Sequence, residues 1–186
     1  MNEIAHAAEM AQQKLSNARK VFTEAEIDGA IDEMAAAINR DYAGKCPLVL
    51  CVMNGGLIFT SKLVSRLTMP IQMDYIHATR YENGTEGKKL QWLAQPKTAL
   101  VNRDVILLDD IFDIGVTLRE LKKYCFDQGV SSVTAALLFQ KNHGRCIDVE
   151  LERYIGMQVP DEYVFGCGMD YKGFFRNLPD VYALDS

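Results

Sequence analysis

The stretch Val105-Ile-Leu-Leu-Asp109-Asp110-Ile-Phe-Asp113-Ile114-Gly115-Val116-Thr117-Leu118 sets three carboxylates and a glycine directly behind an apolar run. If the run is a buried strand and a helix begins near Thr117, the acids stand at the mouth of a sheet and backbone N–H groups converge beside them. A helix start binds phosphate, because its unpaired N–H groups and its dipole both favour an anion. Thr117 adds a hydroxyl donor. Asp109 and Asp110 cannot attract a phosphate, yet carboxylates accept hydrogen bonds from the two hydroxyls of a ribose. Together the pieces read as a sugar phosphate cradle. Two other readings stand beside it: a plain magnesium site on Asp109, Asp110 and Asp113, as in phosphotransfer enzymes, and a solvated acidic turn.

Other motifs narrow the chemistry. No Gly-Lys-Ser/Thr is present, so an ordinary P-loop is excluded. Gly166-Cys-Gly168 begins like a dinucleotide fingerprint, but Tyr171 holds the third glycine position. Met53-Asn54-Gly55-Gly56 follows a second apolar run, where glycines either let backbone approach an anion closely or simply make a tight turn. Lys141 and Tyr163 have ordinary roles when taken singly: a solvated lysine and a core aromatic.

The elements that must position these residues follow from spacing. Thr23 and Glu26 form a capping box, and Ile27, Ile31, Met34 and Ile38 share one helical face. Leu48 to Val52 is a strand buried on both faces. Leu57 to Leu67 reads as a helix broken by Pro70, and Ile71, Met73, Tyr75 and His77 alternate as in a half-buried strand. Residues 80–97 are polar and hold Trp92; they form either a hairpin turning at Asn83-Gly84 or a mobile loop. Val105 to Leu108 and Val133 to Phe139 are further buried strands, with a helix from Thr117 to Gln128 stopped by Gly129. Repeated strand-helix-strand units predict an α/β fold: a parallel sheet with helices on both faces and ligands at the carboxyl ends of its strands. The aromatic, turn-rich residues 142–186 are expected to form a small lid over that edge.

With 186 residues, 48% hydrophobic and 24% charged, the chain suits one soluble domain. Folding at this length buries roughly 70% of the unfolded surface, so no staple is needed. The net charge of -5 and the lack of a basic run argue against nucleic acid. Five scattered cysteines without a C-x-x-C pair argue for reduced thiols, not disulfides or zinc. No export signal or apolar span is visible, so the expectation is a cytoplasmic protein with no membrane partner.

The segment 105–118 resembles the phosphoribosyl pyrophosphate (PRPP) motif of the type I phosphoribosyltransferases. VPDEYVFGCGMDYKGFFRNLP, Val159 to Pro179, resembles the C-terminal signature of the hypoxanthine-guanine phosphoribosyltransferases. With the glycine loop at 53–56 and HATRY at 77–81, the resemblance spans about residues 20 to 184. It implies the type I fold in a single domain, 1–186, with a core at about 44–145 and a hood from the N-terminal segment and about 146–186. Asp109 and Asp110 would hold the ribose hydroxyls, and Asp113, Ile114, Gly115, Val116 and Thr117 would wrap the 5′-phosphate. Asp113 would also face purine N7 as base or proton relay. Met53, Asn54, Gly55, Gly56 and Arg176 would bind pyrophosphate, at a loop where the family often has a cis peptide.

The resemblance further implies that Lys141 donates to the purine 6-oxo group, Tyr163 stacks on the base and Val164 contacts its pyrimidine edge. Asp170, with Asp109 and Asp110, would attend a magnesium ion. Thr79, Arg80 and Tyr81 would stand at the base of a closing loop. The implied reaction moves ribose 5-phosphate from PRPP to hypoxanthine or guanine in a homodimer or homotetramer. The sequence departs from the family at Asn54, where Lys or Arg is common, at Ile114 for Thr, at Tyr163 for Phe and at Arg80 for Ser. A silent PRPP or nucleotide sensor, which Asn54 favours, and an enzyme for xanthine or adenine are the alternatives.

Overall fold

The computed structural model describes residues 3–80, 90–151 and 153–184. Helix α1 (Glu3–Ser16) and strand β1 (Arg19–Phe22) lead into α2 (Glu24–Asp41), followed by β2 (Leu48–Met53), α3 (Gly56–Val64), β3 (Gln72–Arg80) and β4 (Leu90–Ala94). Then come β5 (Asp104–Phe112), α4 (Val116–Asp127), β6 (Ser132–Lys141), β7 (Arg153–Val159), β8 (Tyr163–Phe165) and β9 (Val181–Leu184). Six strands form one sheet in the order β4-β3-β2-β5-β6-β7, and β1-β9-β8 form a second. All neighbours in the large sheet are parallel except β4, which runs antiparallel on its edge.

The capping box predicted at α2 is present: Thr23 Oγ1 accepts from the Glu26 amide, and Glu26 accepts the Thr23 N–H at 2.8 Å. The face it starts, Ile27, Ile31, Met34, Ala35 and Ile38, is buried against the sheet. Each fully buried isoleucine contributes about 1.5–3 kcal/mol. The central strands divide their side chains between two cores, as the period of two requires. Val49, Ile106, Leu108, Ala136 and Leu138 face α2 and α3; Leu48, Leu50, Val105, Leu107 and Leu137 face Leu118, Leu121 and Cys125 of α4. Helices therefore cover both faces.

Three expectations shift. On β3 the predicted alternation lies on the open face: Met73 and Tyr75 are 49% and 47% exposed, while Ile76, the next residue along, is fully buried. The reason is helix placement, since α3 lies over β2 and β5 and α2 over β7, leaving this side of β3 bare. The helix expected to reach Leu67 ends at Val64, well before Pro70. Asn39 takes over beyond it, donating to Arg66 O at 3.0 Å and accepting from the Thr68 amide at 2.8 Å. Finally, β7 extends the large sheet to Val159, past the boundary expected near 145.

The small sheet gathers remote stretches, with Arg19 opposite Ala183 and Val164 opposite Ala183 on its other side. Ion pairs Arg19–Glu162 at 2.8 Å and Lys20–Asp180 at 2.6 Å lace its edge. Its inner side chains Val164, Val181 and Ala183 join the core beneath α2. No described helix is long and apolar enough to cross a membrane. All five cysteines are free thiols, and burial pushes Cys125 up to about 12 and Cys167 to about 11, so neither is a ready nucleophile.

Candidate active site

Strand β5 ends at Phe112 and α4 begins at Val116, so the acidic turn lies where the sheet gives way to a helix start. Gly115 makes the junction with φ 97°, and a Cβ there would also press on the Phe112 ring at 2.8 Å. Asp109, Asp110, Asp113, Gly115 and Thr117 line a cavity of about 310 Å³. Ile114 stands behind it, its carbonyl accepting the Ile147 N–H at 2.9 Å. Asp109 Oδ1 accepts the Asp110 amide at 3.0 Å, and Asp110 Oδ1 accepts that of Ile111 at 2.8 Å. Burial pushes the Asp110 carboxyl up, against the hydrogen bonds and the Arg176 charge that favour its ionised form. A group held this way gains from a cation or hydroxyl donor brought by a ligand.

The glycine loop abuts this turn. The Met53–Asn54 peptide is cis. Close backbone approach explains the glycines: a Cβ on Gly55 would stand 1.9 Å from Asp110 Oδ2, and one on Gly168 would stand 2.2 Å from the Gly55 carbonyl oxygen. Arg176 is fixed at that seam, Nη1 donating to Gly168 O at 2.6 Å and Nη2 meeting Asp170 Oδ1 at 2.5 Å. Asp170 Oδ2 accepts the Gly173 amide at 2.7 Å.

A second cavity, of about 200 Å³, is lined by Asp110, Asp113, Lys141, Tyr163, Val164 and Asp170, together with Ile111 and Met169. Lys141 arrives at the end of β6, opposite Val159 of β7. Tyr163 opens β8 half exposed, its hydroxyl donating to Asp170 O at 3.0 Å, with the Tyr171 ring edge-on at 5.8 Å. Burial, with the Asp170 charge adding to it, pushes this phenol up, so it stays a neutral ring and donor. Val164 is buried behind it. The two cavities share Asp110, Ile111 and Asp113. A molecule spanning both passes Asp113 at the junction.

One residue at this junction escapes sequence reasoning. His143 Nε2 lies 2.7 Å from Asp113 Oδ1, two residues after Lys141 on the loop leaving β6. The signal available was position: loops at the carboxyl ends of parallel strands carry function. Of the closing-loop residues, Thr79 and Arg80 pair through their backbones with Gln91 and Leu90. That antiparallel pairing favours the hairpin over a free loop; Tyr81 and the turn at Asn83-Gly84 lie outside the described residues. Trp92 anchors the hairpin on α4, its ring 4.8 Å from that of Tyr124.

As a magnesium site the residues fit one arrangement only. Among the described residues no three His, Cys, Asp or Glu side chains form a protein cage, and both Asp170 oxygens are already engaged. Asp109 and Asp110 suit an ion that keeps one or two carboxylates and takes its other ligands from substrate oxygens and water, as magnesium does. A third cavity, about 520 Å³, lies apart on the bare flank of β3, walled by Met53, Leu57, Val64, Met73 and Tyr75. It brings no carboxylate besides Asp74, whose Oδ2 accepts the Lys97 and Thr98 amides at 2.8 and 2.7 Å.

A family model for the phosphoribosyl transferase domain matches residues 5–171. The hypoxanthine-guanine phosphoribosyltransferase of Streptococcus thermophilus is 36% identical over 165 residues, 88% of this chain and 91% of that protein. That of Staphylococcus aureus is 30% identical over 165 residues, 88% and 92%. Among solved structures, a hypoxanthine phosphoribosyltransferase from Staphylococcus aureus superposes with a TM-score of 0.85 at 28% identity, covering 100% of this chain and 96% of that one. A hypoxanthine-guanine-xanthine phosphoribosyltransferase does so with a TM-score of 0.81 at 28% identity, covering 90% and 97%.

Proposed function

Since the chain belongs to the phosphoribosyl transferase family, we propose that it is a purine-salvage enzyme, a hypoxanthine-guanine phosphoribosyltransferase that moves ribose 5-phosphate from PRPP to N9 of a 6-oxopurine. The observation that carries this reading is the meeting of two cavities at Asp113. One has carboxylates for ribose hydroxyls and a helix start for phosphate; the other has an ammonium and an aromatic for a base.

In this reading the 5′-phosphate sits on the amides of residues 113–117, and the ribose hydroxyls donate to Asp109 and Asp110. The loop 53–56 and Arg176 grip the pyrophosphate, for which a guanidinium fork is suited. The C1′–O bond breaks with its electron pair leaving on pyrophosphate, and the purine N9 pair forms the new C1′–N bond. Asp113 takes the purine proton at N7, so the base attacks without a growing positive charge. Lys141 has donors only, so it donates to a 6-oxo group and faces adenine's amino group unfavourably. Asp109 and Asp110 would hold a magnesium ion, which would supply charge neutralisation to the diphosphate. Residues Thr79, Arg80 and Tyr81 would belong to the segment that excludes water from the cationic C1′.

The enzyme acts in the cytoplasm, as a homodimer or homotetramer. The exposed apolar side chains Leu57, Met73 and Tyr75 give an assembly a surface to cover, and sedimentation velocity reads the outcome. The decisive test is an ultraviolet assay with PRPP and magnesium, offering hypoxanthine, guanine, xanthine and adenine beside Asp113→Asn. Nucleotide from the 6-oxopurines, none from adenine, and a loss of about 100-fold or more in the variant are expected. PRPP binding without turnover of any base would sink the reading.

A further inference from the structure

We infer that His143 is a positioning residue for Asp113, holding that carboxylate in the one orientation that presents its second oxygen to the purine. The inference rests on the role of Asp113 proposed above. His143 Nδ1 accepts the backbone N–H of Arg145 at 3.1 Å. The ring proton therefore sits on Nε2 and points at Asp113 Oδ1, 2.7 Å away. The Asp113 main chain is held as well, its carbonyl accepting from the Cys146 thiol at 3.2 Å. The histidine side chain is 5% exposed against 36% for Asp113, so the imidazole lies behind the carboxylate while the carboxylate faces the cavity. His143 does not reach the substrate; it acts through Asp113.

The support extends one shell further. Arg145, whose amide fixes the tautomer, also binds Asp161 at 2.6 Å, in the turn that delivers Tyr163. The segment presenting the aromatic of the base cavity and the loop steadying Asp113 are thus pinned to each other. With Oδ1 engaged by a donor shielded from water, the other oxygen is left as the proton acceptor. A carboxylate tied in this way loses one rotational freedom before substrate arrives, and small misplacements of a reacting group can cost about 100-fold in rate.

The test compares His143→Ala, His143→Gln and Asp113→Asn, singly and with His143→Ala built into Asp113→Asn. His143→Ala should lower kcat by about 10- to 100-fold while KM for PRPP stays within about twofold. A glutamine amide can restore a donor near the Nε2 position, so His143→Gln should recover most of that loss. In the Asp113→Asn background His143→Ala should change nothing further, because its effect passes through that carboxylate. Nitrogen-15 spectra of the unmodified protein should show His143 protonated on Nε2, with that proton moving when Asp113 is replaced, a readout that needs no stable histidine variant. Unchanged kcat in His143→Ala, full additivity in the double variant, or a proton on Nδ1 would overturn the inference. If Asp113→Asn is dead and His143→Ala fully active, only the positioning role falls; if Asp113→Asn is fully active, the proposed role of Asp113 falls with it.

Discussion

The two cavities that meet at Asp113 are built in opposite ways. The one beneath the acidic turn is lined by residues 109–113, 115, 117 and 118 with Leu137 alone from elsewhere, a single stretch running from strand into helix. Its neighbour draws on four stretches: 110–113, 141, 163–164 and 169–170. Local contacts close small loops at little entropic cost, whereas assembling distant segments requires the surrounding structure to be in place first. The sugar phosphate side should therefore persist when packing elsewhere loosens. The base side depends on how the small sheet docks, which makes it the side where specificity is altered by substitution.

The largest expected break comes at the seam between them. Gly168→Ala puts a methyl 2.2 Å from the Gly55 carbonyl oxygen at a backbone φ of 100°. Strain and overpacking together should cost about 3 kcal/mol in urea unfolding and abolish turnover; a soluble variant of native stability would show that the seam gives way. Next, Lys141→Gln adds an acceptor where only donors stood. Discrimination against adenine, as a ratio of kcat/KM values, should fall by about 10-fold or more with PRPP binding unchanged. If PRPP affinity fell instead, the two cavities would not be separable.

Gly115→Ala should act on the other side, raising KM for PRPP by about 10-fold through a strained helix start and sparing base preference. The smallest effect belongs to the small sheet. Asp180 joins Lys20 and accepts the Glu24 amide at 2.8 Å, and these partners, Lys20 first, hold its carboxyl below the usual carboxylate range. A depressed folded value adds stability above the unfolded value, near pH 3.9, and that stability is lost as pH falls through the folded one. Asp180→Asn should thus lower Tm by about 2–4 °C at neutral pH, and the difference should close in acid.

The same contrast explains what could be read from the residues alone. The capping box at Thr23, the two-sided strands at 48–52, 105–108 and 133–139 and the acidic turn all rest on neighbours in sequence, and all stand where spacing put them. Strand β3 was harder, because which of its faces is covered depends on where α2 and α3 come to lie. Strands β1 and β9 are four residues each and partner across more than half the chain, with no periodicity of their own. Lys141, Tyr163, Val164 and Asp170 were placed through a resemblance, and the structure sets them around one cavity. His143 had no such pointer: its meaning lies in a carboxylate thirty positions away.

Strand β9 lies in the middle of the small sheet, between β1 and β8. During synthesis at about 5–20 residues per second, the large sheet has all its strands once Val159 has emerged. The small sheet cannot close until residue 184 is free of the ribosome. A nascent chain stalled in that interval would carry the acidic turn already folded and no place for a base. It would be able to hold the sugar phosphate and unable to use it.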